Sequence, residues 1–260
     1  MIKILFIGDV VGFFGCKAVY ENLHKIKSKN KIDFVIANGE NSSVTNGITV
    51  KAAEYLLNAG VDAITGGNHT FKKRDFFDYL NKSNEILRPA NYPNGTPGKG
   101  FLKFDLFHTK ICVINLSGVV YLESLACPFE TFDKILGQAD DCKVKIIDFH
   151  AEATAEKRAM GFYVDGKVSA IFGTHTHVQT SDEEILHNGT AYITDVGMTG
   201  IANSVLGVKS EISIMRMKGK IPLKFEHADS GFCKMECAIV EIDEINGKST
   251  KIERLRFKFD

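Results

Sequence analysis

The stretch Ile2-Lys3-Ile4-Leu5-Phe6-Ile7-Gly8-Asp9 indicates the fold class of the chain. All but one of the residues before Gly8 are apolar, and the run favours β structure. Such a run predicts a strand buried on both faces, as in a sheet covered by helices. After it, Val19, Leu23 and Ile26 form an apolar stripe with the spacing of an amphipathic helix. A buried strand that leads into such a helix is typical of an α/β fold.

The same strand and helix unit repeats in the first third of the chain. Strands are predicted at residues 34–37 and 63–65, and helices at residues 52–58 and 72–80. This alternation implies a largely parallel sheet. Later apolar runs predict further strands at residues 101–107, 111–116, 144–149, 168–172 and 191–193.

Two turn signals predict antiparallel additions to that sheet. Asn188-Gly189 and Asn246-Gly247 each lie between β-favouring runs, which is a hairpin signal. The sequence contains no internal repeat and no clear linker. We therefore predict one domain over residues 1–260, a layered α/β sandwich of mixed sheets with flanking helices.

The composition excludes several classes of protein. The 260 residues include 32 Lys and Arg and 32 Asp and Glu, and 44% are hydrophobic. This hydrophobic content argues against disorder, and the balanced charge argues against a non-specific nucleic-acid binder. No apolar run approaches the roughly 20 residues of a membrane-spanning helix, and the scattered cysteines favour reduced thiols. We expect a cytoplasmic protein without membrane association, with a homo-oligomer plausible only on base rates.

Polar residues follow five of the predicted strands, at the points where the strands end. They are Asp9, Glu40, Asn41, Asn68, His69, His150, His175 and His177. Because the carboxyl ends of strands in an open α/β sheet line the ligand crevice, we expect these side chains to lie together. Each alone has a structural interpretation, such as a helix cap for Asp9 or a core position for His150. The His175-x-His177 pair is a stronger signal, since residues two apart on extended backbone share a face.

Two other motifs, a glycine-rich turn and a pair of cysteines, give weaker signals for nucleotide binding and zinc binding. The turn Gly8-x-x-x-Gly12-x-x-Gly15 has the wrong spacing for dinucleotide binding, and Asp9 would face the pyrophosphate. Cys233 and Cys237 could be half of a zinc site, but their apolar neighbourhood favours two strand cysteines. No role is assigned to the four remaining histidines, His24, His108, His187 and His227.

The residue types at the strand ends indicate metal chemistry. Oxygen and imidazole ligands without thiolate suit iron, manganese or zinc. The seven candidates other than His69 exceed the needs of one ion and suit two ions that share a bridging carboxylate. Paired ions about 3.5–4 Å apart clamp the attacking and leaving oxygens in phosphatases and nucleases, and supply hydroxide at neutral pH. His69 directly follows a candidate ligand, so it could protonate the departing alkoxide.

Five segments of the chain resemble the signature of calcineurin-like metallophosphoesterases: Asp9, Glu40-Asn41, Gly67-Asn68-His69, His150 and Gly173-Thr174-His175-Thr176-His177. More closely, the chain resembles the YmdB-like phosphodiesterase branch in residues 148–154, 173–180 and 191–200. The resemblance covers nearly the whole chain, and the order and spacing of the motifs are specific.

That resemblance implies a metallophosphoesterase-type sandwich with two metal ions, foremost iron, that hydrolyses cyclic nucleotide phosphodiesters. It also implies that His69 is the general acid. The implied ligand sets are bridged by Glu40: Asp9, Asn41 and His177 for one metal, and Asn68, His150 and His175 for the other.

Several residues depart from the expected patterns. Val11 stands where the broad superfamily has a histidine. A basic residue is expected near Cys16, an acid is expected where Lys72 follows Phe71, and residues 42–46 lack the expected glycines. These departures leave the metal ligands intact, but they put the substrate preference and the orientation of His69 in question.

The sequence is therefore compatible with three functions. The leading one is hydrolysis of a small phosphodiester, such as a 2',3'- or 3',5'-cyclic nucleotide. The second is a regulatory metal- or nucleotide-binding module with vestigial hydrolysis, because a fold does not determine a function. The third is an RNA-directed phosphodiesterase or a partner of an RNA enzyme, which would require a basic channel to the metals.

Overall fold

The computed structural model of the chain describes residues 1–259 and contains thirteen strands in that range. The strands are β1 Ile2–Ile7, β2 Asp9–Val10, β3 Phe34–Asn38, β4 Ala63–Thr65, β5 Phe101–Leu106, β6 Thr109–Ser117, β7 Val144–His150, β8 Ala170–Thr174, β9 Glu184–Ile185, β10 Ala191–Ile193, β11 Met198–Ile201, β12 Cys233–Ile242 and β13 Ser249–Phe259.

Six α-helices occur in the same range. They are α1 Gly12–Asn30, α2 Val50–Asn58, α3 Phe77–Lys82, α4 Pro128–Leu136, α5 Thr154–Val164 and α6 Ser210–Gly219. No helix among residues 1–259 has the length and apolar character needed to cross a bilayer.

The helix predicted at residues 72–80 is wrong at its start. A 3-10 turn occupies Arg74–Phe76, and α3 begins only at Phe77. The preceding backbone is used in tight turns, in which the amide of Thr70 bonds Gly67 and the amide of Lys72 bonds His69. These turns fix the backbone around His69, so the helix begins after them.

The strands form two mixed sheets. The first has the order β2-β11-β12-β1-β3-β4, with β13 beside β12, and the second has the order β5-β6-β7-β8-β10-β9. The neighbours β1, β3 and β4 are parallel, as are β6, β7 and β8, as the alternating pattern predicts. Both predicted hairpins are confirmed, because β9 pairs antiparallel with β10 and β12 pairs antiparallel with β13.

The two sheets pack face to face between layers of helices. Alternate residues of β1 explain this, because successive side chains of a strand point to opposite faces. Ile4 and Phe6 enter the core between the sheets, where the Phe6 ring stacks on Phe172 of the second sheet at 4.6 Å. Leu5 and Ile7 enter the other core, beneath α1 and α2. The fold class is therefore the predicted sandwich with flanking helices.

The cysteines belong to this packing. Cys233 and Cys237 lie on β12 and are buried, and all six cysteines are free. Burial raises the pKa of Cys16 to about 12 and that of Cys233 to about 11. Such thiols remain protonated at neutral pH, which agrees with their interpretation as strand and core residues.

Candidate metal centre

The carboxyl ends of the parallel strands meet at one edge of the sandwich. Asp9 follows β1, Glu40 follows β3 and Asn68 follows β4, while His150 ends β7. Beyond β8, the chain continues into His175 and His177. The structure brings the seven predicted ligands together in two groups that share Glu40.

The first group surrounds His177 Nε2. This nitrogen lies 3.1 Å from Asn41 Nδ2 and 3.5 Å from Asp9 Oδ1. Asn41 Nδ2 is also 3.4 Å from Asp9 Oδ1 and 3.0 Å from Glu40 Oε1. An amide nitrogen has two hydrogens and cannot serve three acceptors. Rotation of the Asn41 amide would instead add its oxygen to a cluster of ligand atoms that suits a cation.

The second group surrounds His150 Nε2. This nitrogen lies 2.9 Å from Asn68 Oδ1 and 3.0 Å from His175 Nδ1. Glu40 Oε1 lies 3.4 Å from the same nitrogen. One ligand atom from each of Glu40, His150 and His175 falls within 4.8 Å of the others. Glu40 therefore contacts both groups, as a bridging ligand must.

Hydrogen bonds at the opposite ring nitrogens direct the lone pairs of the histidines into the centre. The Thr174 hydroxyl donates to Asp148 at 2.7 Å, so its oxygen can accept from His150 Nδ1 at 2.9 Å. His177 Nδ1 bonds the carbonyl oxygen of Leu206 at 3.0 Å. In the neutral rings, both Nε2 atoms then present lone pairs to other acceptors, which is the arrangement of metal-binding histidines.

The electrostatics of the centre also favour bound cations. Burial raises the pKa of Glu40, but the charges of His150 and His69 outweigh burial and lower it well below its usual range. Burial lowers the pKa of His150, but Glu40 and Asp9 outweigh burial and raise it to about 9. The carboxylates thus attract positive charge into a fully buried position. Burial and His150 lower the pKa of His175 to about 4, which keeps that ring neutral, the form in which it binds metals.

His175 and His177 correct one prediction. They do not lie on extended backbone, because β8 ends at Thr174 and their φ angles are 100° and 63°. The bend sends His175 to the second group and His177 to the first, so the pair divides between the two groups. Glu152, which lies in the 148–154 segment but was assigned no role, contacts His175 Nε2 at 3.1 Å and directs Nδ1 toward His150.

A buried ion pair holds that bend in place. Lys157 of α5 donates to the carbonyl oxygen of Thr174 at 2.7 Å and to Asp195 Oδ2 at 2.8 Å. The same carboxylate accepts from the amide of Thr176 at 3.0 Å. Lys157 and Asp195 are 1% and 0% exposed, so the pair is inside the protein. The sequence did not predict this ion pair, because charged residues on a helix and in a loop normally face solvent.

His69 lies at the edge of the centre. Its Nδ1 is 3.0 Å from both Glu40 Oε1 and Asn41 Oδ1, and its backbone amide donates to Glu40 Oε2 at 2.8 Å. Its Nε2 lies 3.5 Å from Asn46 Nδ2. The carboxylate therefore holds Nδ1 as the donor nitrogen and leaves Nε2 on the side away from the ligands.

His227 was assigned no role, yet it lies next to the centre. Burial and His177 lower its pKa. A Cβ atom at Gly12 would lie 2.4 Å from His227 Nδ1, so only glycine fits beneath this ring. The segment that carries His227 follows α6, and no motif in the sequence connects it to the strand ends.

Residues 42–47 form a strained loop beside His69. Thr45, Asn46 and Gly47 have φ angles of 64°, 67° and 84°. This backbone explains why glycines are expected here, since a β-branched residue such as Thr45 is disfavoured at positive φ.

We expect Thr45→Gly to raise the free energy of unfolding by about 0.5–1 kcal/mol, because it removes the clash of a side chain in left-handed backbone. Urea denaturation measures the change. Thr250→Gly, on strand β13, is the matched control and should destabilise by about 1 kcal/mol. Equal losses in the two variants would show that Thr45 is not strained.

A two-sheet α/β sandwich with this cluster at its strand ends defines a fold of the metallophosphoesterase type. An NAD nucleotidase of Haemophilus influenzae shares the fold with a TM-score of 0.58 at 14% identity, over 99% of this chain and 56% of that one. The family model described as YmdB-like protein matches residues 5–255, and the chain belongs to this family.

Two relatives are similar over nearly their whole length. The 2',3'-cyclic-nucleotide 2'-phosphodiesterase of Bacillus subtilis (strain 168) is 46% identical over 99% of this chain and 98% of its own. The crystal structure of a novel phosphatase from Mycoplasma pneumoniae has a TM-score of 0.93 at 37% identity, over 100% of this chain and 94% of that one. The predicted family is confirmed, and both names agree with the prediction of a phosphoric ester hydrolase.

Proposed function

We propose that the chain is a metal-dependent phosphodiesterase that hydrolyses small phosphodiesters, foremost 2',3'-cyclic nucleotides, with 3',5'-cyclic nucleotides as the alternative. The observation that carries the proposal is the buried Glu40 carboxylate between two groups of inward-facing ligand atoms. The activity in the name of the Bacillus subtilis relative supports the substrate class. Free cysteines support a cytoplasmic location.

The residues present fit two metal ions. Asp9, Asn41 and His177 would hold one ion, and Asn68, His150 and His175 would hold the other, with Glu40 between them. The ligand types suit iron first, with manganese and zinc as alternatives. Bound ions would supply a hydroxide nucleophile at neutral pH and neutralise charge on the phosphoryl oxygens.

The chain's own residues supply orientation and a proton. Thr174 and the Leu206 carbonyl fix the rings of His150 and His177, so their Nε2 atoms stay directed at the centre. The Glu40 carboxylate holds His69 by Nδ1. The imidazolium form of His69 then has a proton on Nε2 to pass to the departing alkoxide, which leaves the ring neutral with its remaining proton on Nδ1, and Asn46 lies beside Nε2.

We expect His69→Ala to reduce kcat/KM for a 2',3'-cyclic nucleotide by about 100-fold, because a ribose alkoxide needs a proton as it leaves. The loss should be below about 10-fold for a p-nitrophenyl phosphodiester, whose leaving group needs no proton. Steady-state kinetics and metal analysis of the same samples measure both effects. His108→Ala, in the exposed turn between β5 and β6, is the matched control. Equal losses on both substrates would contradict a general-acid role.

The proposed function is tested with cyclic nucleotides and bis(p-nitrophenyl) phosphate, before and after chelation. We expect hydrolysis that chelation removes and that iron or manganese restores. A metal-loaded protein that hydrolyses none of these substrates would overturn the proposal. Bound nucleotide without turnover would instead indicate a regulatory module, and faster cleavage of an RNA oligonucleotide would indicate an RNA-directed enzyme.

A further inference from the structure

A cleft of about 410 Å³ opens beside the candidate metal centre. It lies between the first turn of α1, the tip of the 42–47 loop and residues 224–229. The volume falls within the range of small-ligand sites, which is about 300–1,000 Å³. None of the seven predicted metal ligands lines the cleft.

The base of the cleft is connected to the first ligand group. His227 lines the cleft and lies against Gly12, whose amide donates to the carbonyl oxygen of Asn41 at 2.9 Å. Val208 pairs with His227, and Leu206, two residues before Val208, accepts the hydrogen bond of His177. The cleft therefore adjoins the centre from the side of Asn41 and His177.

Aromatic side chains form the walls of the cleft. Phe13 is 61% exposed and Phe225 is 42% exposed, although large apolar side chains are normally buried. The Arg216 guanidinium lies 4.0 Å from the centroid of the Phe225 ring, so one face of that ring is covered. Phe14 packs edge-on against Phe13 at 5.6 Å. Both rings are thus held in place while part of their surface remains exposed to the cleft.

We propose that this cleft binds the nucleobase of the substrate, by stacking on Phe225 and Phe13. The inference rests on the proposed function, and it assigns the specificity for nucleotides over simple phosphodiesters to these two residues. Base stacking on aromatic side chains accepts every base, because every base has a π-face. The carboxylates at the rim, Glu226 and Asp229, are paired with Lys209 at 3.4 Å and 3.0 Å. They therefore repel a phosphate less than unpaired carboxylates would.

A larger cavity of about 500 Å³ lies on the other side of Val44, between α1 and α2. Its aromatic lining consists of Phe13, which it shares with the cleft, and Tyr55, whose ring is already stacked on Tyr20 at 4.5 Å. Lys73 bonds the carbonyl oxygen of Val44 and the hydroxyl of Thr45 at 3.2 Å each, at the edge of this cavity. Apart from the shared Phe13, this cavity offers a nucleobase only the half-buried Tyr55 ring, whereas the cleft offers the exposed Phe225 ring.

The experiment compares Phe225→Ala with the wild type in two measurements. The first is the ratio of kcat/KM for 2',3'-cyclic AMP to that for methyl p-nitrophenyl phosphate, which has no base. The second is binding of adenosine, which has no phosphate, followed by NMR titration of the full chain. We expect Phe225→Ala to lower the kcat/KM ratio and the adenosine affinity by about 5- to 100-fold each.

Matched variants make the result specific. Phe107→Ala removes a ring that is 79% exposed in the turn between β5 and β6, and it should change neither quantity. An unchanged kcat/KM ratio in Phe225→Ala would overturn the inference. A drop of that ratio in Tyr55→Ala alone would also overturn it, because it would place the base in the larger cavity. If the wild type hydrolyses neither substrate, the proposed function fails, and adenosine binding still tests the cleft.

Discussion

Glu40→Gln is expected to reduce kcat/KM by on the order of 10³-fold or more and to lower the bound metal from two ions per chain to one or none. Glutamine keeps the shape of the side chain but removes the negative charge that lies between the two ligand groups. Glu40 is fully buried and contacts Asn41 and His150 at 3.0 Å and 3.4 Å. A neutral amide there cannot offer anionic oxygen to two cations. Steady-state kinetics and elemental analysis measure the two effects.

Glu130→Gln is the matched control for this substitution. Glu130 is exposed in the first turn of α4, on the outer face of the second sheet, and its replacement should leave both quantities unchanged. Circular dichroism shows whether the Glu40 variant is folded. A folded Glu40→Gln protein with wild-type metal content and activity would contradict the bridging role.

Lys157→Met is expected to lower the free energy of unfolding by about 3–5 kcal/mol, because it leaves a buried carboxylate without its cation. Asp195 is 0% exposed and would keep only its bonds to the amides of Thr176 and Gly197. Urea denaturation of the chelated protein measures the loss without a contribution from bound metal. The double variant Lys157→Met/Asp195→Asn should recover part of the stability, since it removes the unpaired charge.

Lys134→Met provides the reference for an exposed lysine on a helix. It should change the free energy of unfolding by less than about 0.5 kcal/mol. If Lys157→Met cost no more than this reference, the ion pair would not stabilise the bend that carries His175 and His177.

The sequence predicted the convergence of the ligands because one geometric rule governs it. Asp9, Glu40 and Asn68 each follow a parallel strand of the first sheet, and the ends of such strands meet at one edge. The second sheet brings His150 to the same place, because Phe6 of the first sheet packs on Phe172 of the second. Apolar runs and the residues that follow them are local features, so they can be recognised without coordinates.

The hydrogen bonds and the ion pair that hold the ligands in place could not be predicted, because the residues that form them are far apart in the sequence. Asp148 accepts from Asn38 and Thr65, which are separated from it by 110 and 83 positions. The bend at His175 depends on Lys157 and Asp195, which no local pattern connects to it. Tertiary contacts also override the helix pattern at Lys72, where turns that hold His69 delay the start of α3.

Crystals of protein purified without chelator, measured at the absorption edges of iron, manganese and zinc, test the central claim most directly. We predict two anomalous peaks per chain, about 3.5–4 Å apart. One peak should lie beside Asp9 and His177, the other beside His150 and His175, with Glu40 between them. A single peak, or none at these residues, in a preparation that hydrolyses phosphodiesters would contradict the two-metal account.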